Sequence, residues 1–176
     1  GRLQSLSDQA QETYLSSAAT ERATRISLIA EVATAWLTLS SDNDLLHLAQ
    51  HTAQSQQESY RLTKLSYDGG ASSDQDLAQA ESTVRAAQAD VASYTRQVRQ
   101  DVDALRLLVG TDLPATLLSH ATLDANWHFP ATPAGLPSDL LTRRPDIMAG
   151  EHTLKAANAN FGAARAAFFP SITLTA

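Results

Sequence analysis

Three small groups of residues have the types and spacing to do chemistry. His47 and His51 are four apart, so on a helix they would face one way, as a metal-binding pair does. No cluster of carboxylates or cysteines completes such a site, and Asp42 and Asp44 nearby read as surface charge. Asp74 and Asp76 could be paired acids for proton transfer, or simply negative charges at the start of a helix, where they complement its dipole. Arg143 and Arg144 could bind an anion. A structural role, capping or pairing with Asp139 or Glu151, accounts for them more simply. There is no Ser-His-Asp order, no glycine-rich phosphate loop and no nucleotide motif. The absence of Cys excludes disulfides and Cys-ligated zinc within the chain. The expectation is a protein that is not an enzyme and carries no metal or cofactor.

Composition narrows the class. The 176 residues suffice for one average domain. They include 31 Ala, 17 Ser and 12 Gln, with aromatics at only 6%. That is not the makeup of a thick globular core, nor of a charged, apolar-poor disordered chain. It suits long helices that approach closely through small side chains. With a net charge of -6 and no basic stripe, a nucleic-acid partner is not expected. No run of about 18 apolar residues exists to span a bilayer as a helix. No signal peptide precedes Gly1, and the lack of an initiator Met suggests a processed product or an excised piece.

Helix breakers place the elements. All six Pro lie between Pro114 and Pro170, and before Gly110 the only Gly after Gly1 are the pair Gly69-Gly70. The first 110 residues therefore read as helix, turn, helix. Gly69 or Gly70 can give a left-handed C-cap. Ser72, Ser73 or Asp74 can give the next N-cap. The second helix, 74–110, carries a seam of alternating three- and four-residue steps: Leu77, Ala80, Val84, Ala87, Val91, Tyr94 and Val98, continued by Val102, Leu105 and Val109. The first, 1–67, shows Ile26, Ile29, Ala33 and Trp36 in the same spacing, while its Gln54–Ser59 stretch has almost no apolar stripe. A helix so long and so weakly striped needs more than one partner helix. A third helix, 145–169, should start at Pro145 with Asp146 at its N-terminus and present Leu154, Ala157, Phe161, Ala164 and Phe168. Pro170 ends it, and Ser171–Thr175 alternates like the opening of a strand. Residues 111–144 read as a connecting loop with room for one helical turn near Leu136–Leu141. Trp36 and Trp127 could be interface anchors, but Trp36 lies on the apolar stripe and Trp127 in the connection, where each serves packing.

At about 1.5 Å per residue these helices measure roughly 95, 55 and 37 Å. The simplest packing sets the first antiparallel to the second, with the third stacked beyond it and the connection bulging sideways. Such a rod leaves its seams exposed and calls for other chains or further parts of the same protein.

The run Gly135-Leu136-Pro137-Ser138-Asp139-Leu140-Leu141-Thr142-Arg143-Arg144-Pro145-Asp146-Ile147 resembles the TolC-like outer-membrane efflux channels, in particular the OprM/NodT subgroup. Glu151, Ala156–Asn160, Gly162–Ala164, Phe168-Phe169-Pro170, Gly1-Arg2, Ser59-Tyr60-Arg61 and Asp76–Ala80 extend the likeness over essentially the whole chain. The resemblance implies a homotrimeric channel, often a lipoprotein, with a β-barrel in the outer membrane and an α-helical barrel in the periplasm. It implies an all-α segment of that barrel: a long helix of the first repeat, a hairpin tip at 68–73, a first short helix, an equatorial connection at 111–144, a helix of the second repeat, and a truncated strand stub at 170–176. The barrel strands, the second hairpin and any lipid-bearing Cys lie outside it.

The same resemblance implies a passive exit duct of a tripartite efflux system serving multidrug resistance. The tip residues Gly69, Gly70, Ala71, Ser72 and Ser73 would dock a periplasmic adaptor, and an inner-membrane pump would engage through it. Asp76 matches an aspartate that in some relatives helps hold the periplasmic aperture closed. The alternative is a structural or adaptor-type coiled-coil hairpin with no channel of its own. An adaptor would flank its hairpin with lipoyl-like β segments, whereas here a Pro/Gly loop and another helix follow.

Overall fold

The structure, a computed structural model, describes residues 1–123, 128, 130–131, 135 and 138–170, with the Asp139 side chain left aside. Trp127, the 170–176 strand stub beyond Pro170 and any pairing through Asp139 lie outside the described residues. Among those described the chain is all-α: α1 (Arg2–Asp68), α2 (Asp74–Val109), α3 (Ala115–Leu118), α4 (Asp139–Thr142) and α5 (Pro145–Ala166). The short α3 is an addition to the sequence reading, set up by Pro114 at its N-cap. Among the described residues no helix is long and apolar enough to cross a membrane. The chain divides into two compact units, residues 1–29 with 130–176 and residues 30–129.

In the second unit α1 and α2 form an antiparallel hairpin. Its best-packed point is a cluster of Leu39, Leu105 and Ala121, all but inaccessible, against which Val32, Ala35, Trp36, Val98, Val102, Leu113 and Leu118 pack. Trp36 is thus a packing residue. Towards the tip the seam of α1 is Leu46, Ala49, Ala53, Gln56, Tyr60, Thr63 and Tyr67. These are buried or half-buried and spaced in alternating steps of three and four. That spacing is a heptad seam, but Gln and Thr stand in it, so its hydrophobic signal is weak. The expected stripe is corrected here: Ile26, Ile29 and Ala33 are exposed, and the covered face near Trp36 is Val32, Ala35 and Leu39. Steps of three and four fit both faces, and only packing within each unit selects one.

Two α1 residues just after the cluster fasten the connection. Asn43 Nδ2 donates to the Ala121 carbonyl at 3.0 Å, and Asp44 Oδ2 accepts from the Leu123 amide at 3.1 Å. Asp42 and Asp44 are half-buried. They are not the free surface charge that the sequence suggested: the returning segment engages Asp44, and Asp42 faces Asp101 of α2.

In the first unit α5 runs antiparallel to the start of α1. Pro145 occupies its first turn. The two helices meet through small and polar side chains: Ser5, Gln9, Glu12, Ser16, Ala19 and Ala23 on α1, and His152, Ala156, Ala159, Ala163 and Ala166 on α5. Ser16 Oγ donates to the Ala149 carbonyl at 3.0 Å, and His152 Nδ1 lies 2.6 Å from Glu12 Oε2. A Cβ on Gly162 would come within 3.3 Å of Ser5 Oγ, so the backbones are close there. The expected stripe on this helix is also corrected. Leu154, Phe161 and Phe168 are 64%, 65% and 90% exposed, and Ala157 and Ala164 face outward too. The small-residue face wins the contact because bulk would hold the helices apart.

Leu105 is 2% exposed, whereas Leu107 on the same helix is 84% exposed. Leu105→Ala should therefore destabilise the fold by about 2–5 kcal/mol. Leu107→Ala should stay within about 0.5 kcal/mol in this hairpin. Urea unfolding of the two full-length variants, followed by circular dichroism, checks the contrast.

Candidate functional site: the hairpin tip

The turn between α1 and α2 must satisfy the last carbonyls of one long helix and the first amides of the next. It does so within five residues. The Gly70 amide donates to the Tyr67 carbonyl at 2.9 Å and the Ala71 amide to the Ser66 carbonyl at 2.8 Å. This bonding pattern is a Schellman motif with Gly70 at the left-handed position, φ +74°. Of the two candidate glycines, then, Gly70 makes the cap. Ser73 is the N-cap of α2: its Oγ accepts from the Asp76 amide at 3.2 Å, and Asp76 Oδ2 accepts from the Ser73 amide at 3.1 Å. The Ser73 hydroxyl at 2.7 Å and the Ser72 hydroxyl at 3.4 Å converge on the same Asp76 oxygen. Asp76 thus completes a capping box. The Ser73 hydroxyl first, then the Ser73 amide, hold its carboxyl below the usual aspartate range.

Gly69, Gly70, Ala71 and Ser73 are exposed and Ser72 is half-buried. The tip therefore presents backbone and small polar groups to whatever approaches. One contact across it was not singled out from the sequence. Tyr67, at the end of α1, lies beside the Asp74 carboxylate at the start of α2, and this contact foremost raises its phenol above the ordinary tyrosine range. The signal was present in Tyr67 and Asp74 bracketing the glycine pair, but only the closed turn brings them together. Asp74 and Asp76 face different partners, both at the start of a helix whose dipole their charge complements.

Behind the tip, the α2 seam places Val84 and Ala87 as buried and Leu77, Ala80, Val91, Tyr94 and Val98 as half-buried, with Val102 half-buried and Leu105 buried beyond. Val109 is 42% exposed and leaves the seam at the helix end. Along this seam a notch of about 170 Å³ opens, lined by Ala49, Ala87, Leu45, Leu48, Thr52, Asp90 and Tyr94. His47 and His51 lie exposed on α1. Among the described residues no group of three His, Cys, Asp or Glu could hold a metal. Arg144 does not pair with Glu151. It forms a two-pronged bond with Asp146, at 2.7 and 3.1 Å, two residues on at the start of α5. That bond raises the guanidinium and lowers the carboxyl.

The chain is similar to known proteins in sequence and in fold. The family model for outer membrane efflux proteins matches residues 1–111 and 136–176. The probable efflux pump outer membrane protein TtgC of Pseudomonas putida is 51% identical over all 176 residues, and the chain spans 36% of that relative's length. The crystal structure of a membrane protein from Pseudomonas aeruginosa superimposes with a TM-score of 0.88 at 39% identity. The match covers 96% of this chain and 39% of the other. The open-state MtrE outer membrane channel of Neisseria gonorrhoeae gives a TM-score of 0.82 at 36% identity, covering 96% and 38%. The chain belongs to the outer membrane efflux protein family.

Proposed function

We propose that this chain is a periplasmic wall segment of an outer-membrane exit duct. The duct would be a passive homotrimeric channel that receives small molecules from an inner-membrane pump through a periplasmic adaptor docked at the hairpin tip. The observation that carries the proposal is the tip itself, a capped, small-residue turn between two long helices in a chain of this family. Exposed backbone and small side chains let another helical hairpin approach closely, and the tip's own capping bonds leave its shape independent of the partner. The membrane would be reached through barrel strands outside this segment.

The exposed apolar surface supports the trimer. Among the described residues only nine apolar side chains are buried, six of them Ala, while Ile26, Ile29, Leu48, Leu154, Phe161 and Phe168 are each more than half exposed. Burying a side chain of that kind is worth about 1.5–3 kcal/mol, so neighbouring copies have much to gain by covering them. The notch over Ala49 and Ala87 has the size to receive a side chain from an adjacent helix. An adaptor-type hairpin without a channel is less well supported, because the family match resumes beyond the connection and runs through α5.

Two functions at the tip should separate. Ala71→Trp adds bulk without requiring the left-handed backbone that Gly70 adopts. It should abolish efflux in a drug-accumulation assay while trimer yield in detergent is unchanged; efflux at the wild-type level would remove the docking role. Asp76 is proposed to help hold the aperture shut through its ionised carboxylate. Asp76→Ala should raise single-channel conductance, and Ser73→Ala should not, although both break the capping box. Equal conductance changes in the two variants would assign the effect to the cap rather than to a gate.

A further inference from the structure

Beyond the tip, one polar contact lies inside the hairpin. Leu39 of α1 and Leu105 of α2 share the buried cluster. Asp42 is three residues after Leu39, and Asp101 is four before Leu105. In antiparallel helices these offsets carry both acids to one level and onto the cluster's side of each helix. Both are half-buried. Gln97 Nε2 donates to Asp101 Oδ1 at 3.1 Å. Asp101 Oδ2 is buried and has no donor, yet the Asp42 carboxyl lies within hydrogen-bonding reach of Asp101. Two carboxylates cannot bond each other; a single proton between them supplies the missing donor.

The other charges nearby are already engaged or turned outward. From α1, Asp44 accepts from the Leu123 amide. The connection brings the backbone of Ala121 and Leu123, with His120 and His128 exposed. On α2, Arg96 bonds Gln100, Arg106 pairs with Asp103 and Asp112, and Arg99 is exposed.

We propose that Asp42 and Asp101 share one proton and form an acid-closed clasp between α1 and α2. With the proton present, Asp101 donates to the Asp42 carboxylate. Its loss to solvent sets two half-buried negative charges against each other and loosens the hairpin at this level. Asn43 and Asp44, which hold the connection, stand next to Asp42, so the loosening reaches residues 121–123 as well.

Burial, followed by the contact with Asp42, raises the Asp101 carboxyl above the ordinary aspartate range, while Gln97 opposes the shift. A raised native value fixes the sign. The stabilisation is complete below the unfolded aspartate value, about 3.9, and is lost as pH rises through the native one.

The test is a melting profile of the full-length channel in detergent from pH 4 to 8. Asp101→Asn keeps the shape and donates to Asp42 without a proton. It should raise the melting temperature at pH 8 by about 2 °C or more, with the gap closing towards pH 4. Asp42→Asn should give the same profile, and the infrared band of a protonated carboxyl should vanish in Asp101→Asn. A gap independent of pH, a lower melting temperature at pH 8, or failure of both variants to fold at pH 8 would overturn the clasp.

Discussion

Helix backbones can come close only where both sides of a seam carry little bulk, and that constraint governs each unit of this chain. Where α1 meets α5, Ala19, Ala156 and Ala163 are buried, and Gly162 stands against Ser5 with no room for a Cβ to spare. Where α1 meets α2 towards the tip, Ala49 and Ala87 are buried in the seam. Dispersion summed over many close contacts then replaces the large apolar burial of a globular core. The larger side chains are displaced to the outside, where Leu154, Phe161 and Phe168 remain available to other surfaces.

Close seams have weak hydrophobic contrast, so polar contacts help set register. Ser16 with Ala149 and Thr153, and His152 with Glu12, align α5 on α1. In the hairpin the Leu39–Leu105 cluster is followed at once by Asp42, Asn43 and Asp44. Two of these bind the backbone of the connection, and the third faces Asp101. A one-residue slip would bury these groups without partners, at about 1–3 kcal/mol each. The polar belt therefore specifies alignment more than it adds stability.

The tip answers a different demand. Two helices that end in solvent leave amides and carbonyls unpaired. Here Gly70 and Ser73 resolve both ends locally, and Tyr67 with Asp74 ties them together. The turn is thus closed by its own bonds, with its glycines and Ala71 left exposed.

The sequence by itself placed the breaks between the long helices and narrowed their caps to a few residues. Gly69-Gly70, Ser73, Gly110 and Pro145 act through φ preference and through hydrogen bonds to neighbours a few residues away, and such effects need no tertiary context. The α2 seam was legible for the same reason: Val84, Ala87 and Leu105 repeat on one face of a single helix. What only the tertiary structure decided was which faces meet. Ile26, Ile29 and Ala33, and the Phe161 stripe of α5, have proper helical spacing yet are exposed. The covered faces hold Ala, Ser, Gln and Thr, whose burial follows from how closely a neighbouring backbone approaches. Asp42 and Asp101 lie 59 positions apart, and no local pattern marks one as the partner of the other. They meet because antiparallel pairing at Leu39 and Leu105 sets the level of every residue along the hairpin.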